Sequence, residues 1–406
     1  MMLSVQDPDQ LVQRRRIVTA PTFTLAAFLL GLGGGLLLLA QFGFFEVWRQ
    51  SIVGGDFSQF WVAARVFVSG GNPYDPATWG ANVTRLGGQD ATTPVFLYPA
   101  WVVFLIAPLG LFELPTAATI WLVGTLLFAS VGLYRLLRAR APQLPLVHTL
   151  VGFTLVGSES GIVNFFSGQW SFFLIGALSF LSLFLYQGHA ARAALAAGAM
   201  LIKPQLFVLA GPALLYLAIA RGQRRIALLV VALTGAAIAA SAVVLPRWWE
   251  PWSSVPRERA GNIRSASLPN AMRDTFGDGG FIVAIVLLLV LVGLALAYSP
   301  RSHAAWPVWL VVSLNVAPYV FAYDHVVLLV PVALAAAILG EHGQGWALLF
   351  TAACFVVLVI GGTLLHAFPS AQHHTLSYNG AVPFGIAVLV VGALWPHRFR
   401  PTMVAA

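Results

Sequence analysis

The sequence has 406 residues, of which 59% are hydrophobic and only 9% charged, and its mean hydropathy is +0.84. Because a soluble domain carries about 25% charged residues, this composition excludes a soluble globular protein and predicts an integral membrane protein. The net charge of +8 does not imply nucleic acid as a partner, since most arginines flank apolar runs, where membrane proteins concentrate them.

Several uncharged runs of about 20 residues are long enough to cross a hydrocarbon core of about 30 Å as helices. The first run is too long for the apolar part of a signal peptide, so we interpret it as a retained helix. The hydropathy pattern predicts twelve transmembrane helices, at residues 22–45, 115–135, 146–166, 169–187, 190–203, 205–220, 226–245, 279–298, 305–321, 325–340, 346–366 and 381–396.

The apolar stretch at 100–112 has only about 13 residues, which favours a re-entrant or interfacial segment over a full crossing. If this stretch does not cross, 13 of the 21 arginines fall on one side of the membrane, which the positive-inside rule makes cytoplasmic. If it does cross, the count of helices becomes thirteen and the arginine cluster at 135–140 moves outside.

The first alternative divides the chain into parts with defined sides. It predicts cytoplasmic tails at 1–21 and 397–406 and a single transmembrane domain at 22–396. Two large loops, 46–95 and 246–278, then lie outside. The short turns between apolar segments that contain most of the unusual polar residues lie on the same side. The sequence shows no repeat and no low-complexity linker that would indicate a second domain.

Ionisable residues at membrane depth are costly and usually functional. Three places stand out: Glu159, the only lysine of the chain, Lys203, and the adjacent pair Asp324 and His325. Lys203 precedes a proline and is either a snorkelling interfacial lysine or an anchor for an anionic group such as a lipid phosphate. Asp324 is either a helix N-cap or part of a site, and the two roles are compatible.

Other polar and aromatic residues have simpler interpretations. Trp248, Trp249 and Trp252 are typical of an aromatic belt at a membrane surface. His373 and His374 are adjacent and do not share one helical face, so no metal site is predicted. The sequence has no phosphate-binding loop and no dinucleotide fingerprint, so no cofactor is predicted, and a donor for any transfer reaction must arrive within the membrane.

The first outer loop contains the stretch GGDFSQFWVAARVFVSGGNPYDPATW, in which Asp56 precedes an amphipathic helix that we expect at the outer interface. From the residues alone Asp56 is either the N-cap of that helix or an active group, and Asn72 to Asp75 form a turn. This stretch resembles the opening signature of glycosyltransferase family 87. Further segments resemble the same family in the same order, at residues 96–109, 167–178, 197–209 and 323–331.

Two positions depart from the family pattern. Ala100 replaces a second proline, and Ser171 lies close to a usual asparagine. The resemblance implies an all-α, GT-C-type membrane fold with the catalytic aspartate in the first outer loop. It also implies transfer of a sugar, mannose above all, from a polyprenyl-phosphate-sugar donor to a lipid or glycan acceptor, with inversion, at the outer face of the cytoplasmic membrane.

On this basis Asp56 is predicted to be the general base. The predicted partners of the donor phosphate are Lys203, His325, Arg257, Arg259 and Arg264. The predicted contacts of the sugar and acceptor are Gln169, Tyr74, Tyr98, Tyr323 and Asp324. Two alternatives remain open: a transporter or flippase of a lipid-linked substrate, and a non-catalytic partner in envelope polysaccharide synthesis.

Overall fold

The computed structural model describes residues 8–44, 46, 48, 55–86, 94–259, 265–367 and 379–400, and within these ranges the regular structure is helical throughout. The α-helices are, in chain order, α1 Pro8–Gln41, α2 Phe57–Val68, α3 Pro76–Leu86, α4 Ala100–Ile106, α5 Leu114–Arg140, α6 Pro145–Gly157, α7 Glu159–Ser167, α8 Ser171–Gln187, α9 Ala190–Ala197, α10 Ala210–Ala220, α11 Arg224–Val244, α12 Trp249–Arg259, α13 Leu268–Leu296, α14 Ala305–Val316, α15 Leu329–Gly340, α16 Gln344–Phe355, α17 Gly362–Ala367 and α18 Ala381–Leu394. Short 3₁₀ segments extend or link several of them, including Ala107–Leu111, Pro204–Phe207 and Ala322–Leu328, and a π-helical turn joins α16 to α17.

Six helices of the described chain are long and apolar enough to cross a membrane, and a seventh span results if α6 and α7 count as one. Seven further apolar helices are shorter, and α8 and α10 are two of these. The predicted all-α, polytopic membrane fold is confirmed, whereas the number of crossings stays a prediction. The first helix begins at Pro8, well before the predicted start at residue 22.

The helix predicted at 146–166 is interrupted at Ser158 and bends by 47° there. Ser158 has extended backbone angles, so it ends α6 and acts as the N-cap of α7. Its Oγ accepts the N–H of Gly161 at 3.1 Å, which satisfies one of the amides left open at the helix start. The bend allows α7 to lead the chain into the Gly168–Gln169 turn.

The loops rich in arginine meet at one end of the bundle. Arg140 at the end of α5 pairs with Glu341 at 3.3 Å, and Arg221 after α10 donates to the carbonyls of Pro300 and Ser302. The Ser302 hydroxyl in turn donates to the carbonyl of His397 at 2.8 Å. We name this the arginine end; it contains the loops that the sequence predicts to be cytoplasmic.

The turns predicted to lie outside meet at the opposite end. Helix α8 connects the two, because it begins at Ser171 beside this second end and finishes at Gln187 beside the arginine end. At 1.5 Å per residue its 17 residues place the two ends about 24 Å apart. The predicted separation of polar turns from arginine loops is therefore present in the fold.

Helix α2 is buried on most of its surface, since nine of its twelve residues are inaccessible. The segment from Tyr98 to Phe112 follows it and turns back. Tyr98 stacks edge-on against Phe60, Phe104 packs on Phe67, and the Phe112 carbonyl then accepts from the Trp61 indole at 2.9 Å. Both ends of the segment thus lie near residues 60 and 61 of α2, and whether the segment crosses the membrane stays a prediction.

The tryptophans of the second outer loop differ from the predicted belt. Trp248 is buried, and its ring packs against Tyr74 and Trp101 at centroid distances of 5.8 and 5.6 Å. The indole of Trp252 donates to the Leu97 carbonyl. These two residues join the two loops that are predicted to lie outside. The belt interpretation is wrong for the buried Trp248, whereas Trp249 is 46% exposed and for Trp252 the interpretation stays a prediction.

Candidate functional site

The side chain of Asp56 does not cap helix α2. Asp56 has helical backbone angles and makes no side-chain hydrogen bond to the first turn. Its Oδ2 accepts a hydrogen bond from Nε2 of Gln169 at 2.7 Å, across 113 positions of sequence. The N-cap alternative for Asp56 is therefore wrong, and the carboxylate of a half-buried residue is oriented by a different part of the chain.

Gln169 is positioned by the glycine that precedes it. Gly168 ends α7 in the left-handed region, with φ of +65°, and a Cβ there would lie 2.7 Å from the Cβ of Phe57. Only glycine fits this conformation without strain. The Trp121 indole donates to the Gly168 carbonyl at 2.7 Å, which fixes the turn from behind.

A short chain of hydrogen bonds extends from Asp56 into the first loop. The Tyr98 hydroxyl donates to Oε1 of Gln169 at 2.9 Å, so it determines which way the amide faces and directs Nε2 at Asp56. The Tyr74 hydroxyl, which is buried, donates to the backbone carbonyl of Tyr98. Tyr74 and Tyr98, both predicted to contact sugar or acceptor, thus support Gln169.

Lys203 forms a buried ion pair. Its Nζ lies 2.7 Å from Oδ1 of Asp324, and the two side chains are 2% and 1% exposed. The ammonium also lies 4.6 Å from the centre of the Tyr323 ring. The snorkelling alternative is wrong, because the ammonium is inside the protein and not at a membrane surface. Placing such a pair in the interior is costly, which is typical of a functional site.

Asp324 is held on both oxygens. Oδ1 also accepts from the Ser171 hydroxyl at 3.1 Å, and Oδ2 accepts the backbone N–H of Phe321 at 3.2 Å. Asp324 therefore bonds the turn that precedes it rather than the N–H groups of the following helix. Ser171 was not among the predicted site residues. Its departure from the family pattern, two positions after Gln169, was the feature of the sequence that could have identified it.

Gln169 and Ser171 bring the Asp56 and Asp324 carboxylates to the same end of the bundle. Tyr98 lies outside the candidate membrane spans; burial raises its pKa well above the ordinary value, and the charges of Asp56 and then Asp324 raise it further. One phenol thus lies within electrostatic range of both carboxylates. Gln169 and Ser171, which contact them, are separated by one residue at the start of α8.

The remaining predicted residues lie in different settings. His325 is 2% exposed, and its Nε2 lies 3.2 Å from the Ala266 carbonyl, at the end of the second outer loop. The side chains of Arg257 and Arg259 lie outside the described residues, and so does Arg264 altogether. The predicted phosphate contacts of these residues stay predictions.

The turn that follows α2 has the local role expected from its residues. Oδ1 of Asn72 accepts the Tyr74 N–H, and Oδ2 of Asp75 accepts both the N–H and the hydroxyl of Thr78. The Thr78 hydroxyl and then its N–H lower the pKa of Asp75. Asp75 therefore begins α3, which distinguishes it from Asp56 in the same loop.

Two other expectations concern polar residues beside the site. Oε1 of Glu159 accepts from Nδ2 of Asn379 at 3.2 Å, which ties the bend before α7 to the turn before α18. Among the residues that the structure describes, no three His, Cys, Asp or Glu side chains cluster as metal ligands do. His373 and His374 lie outside the described residues.

The sequence model of glycosyltransferase family 87 matches residues 96–321, more than half of the chain. The chain belongs to glycosyltransferase family 87. No curated protein and no solved structure matches it. As a family 87 member it is a membrane glycosyltransferase, and its all-α fold is consistent with the GT-C superfamily.

The matched range covers part of the site of this family 87 enzyme. Tyr98, Gln169, Ser171 and Lys203 lie within it. Asp56 precedes the range and Asp324 follows it, so these two carboxylates are connected to the matched part by contacts in the fold. Gln169 makes the first connection, and Lys203 makes the second.

Proposed function

We propose that this enzyme transfers a sugar, mannose being the first choice, from a polyprenyl-phosphate-sugar to a lipid or glycan acceptor, with inversion and with Asp56 as general base. The proposal further places the reaction at the outer face of the cytoplasmic membrane, on the side opposite to the arginine end. The observation that carries it is the Asp56–Gln169 hydrogen bond, because it orients a carboxylate that has no capping role.

The reaction proceeds by one displacement at the anomeric carbon. The acceptor oxygen forms a bond to that carbon, and the bond from carbon to the phosphate oxygen breaks, with its electron pair passing to the phosphate. Asp56 takes the proton of the attacking hydroxyl. The amide of Gln169 holds the carboxylate in a single orientation, which is the requirement for attack from one face of the sugar.

The lipid phosphate leaves with additional negative charge, so it needs a nearby cation more than it needs an acid. Lys203 supplies a cation within the same site. Its ammonium has three N–H donors, of which one is directed at Asp324, and Asp324 in turn is held by Ser171. Asp324 thus acts in this proposal as the residue that positions Lys203, and His325 and the second-loop arginines remain candidate phosphate contacts.

In this proposal the prenyl chain lies along the segment from Tyr98 to Phe112. Leu105 and Leu111 of this segment are exposed to the surroundings by 54% and 69%. The neighbouring Trp101 indole donates to the carbonyl of Leu201, two residues before Lys203. A chain lying along this segment would bring its phosphate toward Lys203 from the membrane.

Reconstitution with defined donors tests the proposal. We expect purified protein in liposomes to cleave the sugar–phosphate bond of labelled polyprenyl-phosphate-mannose, and to be slower with the arabinose and glucose donors. Chromatography of the lipid products measures cleavage, with the Asp56→Asn variant as the background. If labelled donor crosses the bilayer uncleaved, the protein is a transporter; if it binds no donor at all, it is a non-catalytic partner.

A further inference from the structure

The arginine end contains a cavity that the proposed transfer reaction does not use. The cavity has a volume of about 770 Å³ and lies where α8, α10, α14 and α15 end or begin. Ser182, the lining residue of α8 nearest to Asp324, follows Ser171 by 11 residues, which is about 16 Å along the helix. A ligand of this cavity therefore does not contact the reacting sugar.

Four arginines line the cavity: Arg140, Arg221, Arg224 and Arg301. None of the described lining residues carries a carboxylate; Glu341 pairs with Arg140 from outside the cavity at 3.3 Å. Burial lowers the pKa of Arg221 to about 10, so this guanidinium still carries its charge at neutral pH. The charged side chains that line the described cavity are therefore all cationic, which favours an anionic ligand.

The frame of the cavity is built by specific contacts. Arg221 donates through Nε to the Pro300 carbonyl at 2.8 Å and through Nη2 to the Ser302 carbonyl at 2.7 Å, which joins the loops after α10 and α13. Arg140 lies over the Tyr186 ring at 4.3 Å. Two arginines thus form the wall, while Arg224 and Arg301 are exposed at the rim.

The remainder of the lining is partly apolar and partly polar, the polar residues being Ser182, Gln187, Gln223 and His303. The apolar part continues onto the outside of the bundle. Trp306, Leu334 and Ile338 form the inner wall. Tyr186 and Ile219 line the cavity as well and are 49% and 52% exposed. A soluble anion makes no contact with these apolar residues. A lipid, in contrast, places its phosphate among the arginines and its chains along the apolar side.

We propose that this cavity binds the phosphate headgroup of an anionic membrane lipid at the arginine end. Basic pockets between membrane helices recognise such headgroups by charge and hydrogen bonding. This lipid site is separate from the transfer chemistry at Asp56. Lipid binding can therefore be tested without measuring sugar transfer.

The test compares two adjacent arginines in the full-length protein. Arg224 lines the cavity, while Arg225 is exposed as well and does not line it. Phosphatidylglycerol is titrated into the purified protein and the first bound lipid is counted by native mass spectrometry. We expect Arg224→Gln and Arg301→Gln each to weaken this first binding about fivefold, and Arg225→Gln to leave it within about twofold.

Three results would overturn the proposal. Equal weakening by Arg224→Gln and Arg225→Gln would show attraction to surface charge alone. Equal affinity of the unaltered protein for phosphatidylcholine would show that the headgroup charge is irrelevant. Displacement of phosphatidylglycerol by about 10 mM inorganic phosphate, with the phosphate retained, would assign the cavity to a soluble phosphate compound. Size-exclusion chromatography and circular dichroism verify that each variant is folded.

Discussion

The two ends of the helix bundle differ in how deeply their ion pairs are buried. At the site end Lys203 and Asp324 are almost wholly buried and pair across 121 positions of sequence. At the arginine end Arg140 and Glu341 make the same kind of pair, but their side chains are 12% and 46% exposed. Burial makes the first pair costly to place and costly to break, whereas water screens the second.

The difference teaches that the position of a charge in a membrane protein matters more than its presence. The arginines of the arginine end lie in loops and at helix ends, such as Arg221 after α10 and Arg140 at the end of α5, where a charge is placed at little cost. Lys203 and Asp324 lie in the interior, where only compensating contacts make them tolerable, and Asp56 is half-buried. Substitutions at the two ends should therefore differ in size and in kind.

The largest expected effect is at Asp56. Asp56→Asn should lower sugar transfer about 10³-fold, because an amide does not accept the acceptor proton, while donor binding stays unchanged. Initial rates and donor affinity of the protein in liposomes measure both. Asp75→Asn is the matched control in the same loop: asparagine caps α3 as well as aspartate does, so its rate should be normal. Equal rates for the two variants would remove Asp56 from the mechanism.

The buried pair gives the next effect. Lys203→Met leaves the Asp324 carboxylate buried without its cation and should destabilise the protein by about 3–5 kcal/mol, seen as a lowered Tm. The double variant Lys203→Met, Asp324→Leu removes both charges and should recover most of this stability. Donor affinity should stay weak in the double variant. If stability and donor affinity both recover, Lys203 has a structural role only.

Gln169 should have a smaller effect that acts through Asp56. Gln169→Leu removes a hydrogen bond to a charged group, and we expect kcat to fall about tenfold or more, with KM for the donor little changed. Tyr98→Phe removes only the hydrogen bond that supports the Gln169 amide, so kcat should fall less in this variant. A Gln169→Leu variant with normal kcat and a raised KM would instead indicate that the amide binds the sugar.

The smallest effect should be at the arginine end. Glu341→Gln breaks the partly exposed pair with Arg140 and should change the free energy of unfolding by less than about 1 kcal/mol, with transfer unaffected. Thermal unfolding of this variant beside Lys203→Met compares the two pairs directly. A loss as large as that of Lys203→Met would mean that the two ends do not differ in the way described.

Some residues of the site could be predicted one by one from the sequence. Asp56 and Lys203 stand out because charges are rare in this sequence. The break at Ser158 was not predicted, since the hydropathy pattern gave one continuous helix at 146–166. The hydrogen-bond and ion-pair partners of Asp56 and Lys203 could not be predicted in the same way. The bond from Gln169 to Asp56 and the pair of Lys203 with Asp324 each join segments more than 100 positions apart, and local periodicity carries no information on such distances.

Two helix-cap alternatives show the same limit. An aspartate before an apolar helix is a good N-cap, so the local pattern at Asp56 and at Asp324 permits capping. The structure directs the Asp56 carboxylate to Gln169. Asp324 combines both roles, because Oδ2 accepts the N–H of Phe321 at the start of the 3₁₀ segment Ala322–Leu328 while Oδ1 pairs with Lys203. At Asp75, where no distant partner competes, the local expectation is correct.

The sequence by itself determined that the chain is an all-helical membrane protein with arginine loops separated from polar turns, because hydrophobicity and charge act residue by residue. Only the tertiary structure decided that Asp56 is oriented by Gln169 and that Lys203 is neutralised by Asp324. The physical reason is that a buried charge takes its partner from whichever segment the packing of the helices brings within reach, and that choice is made by the whole fold.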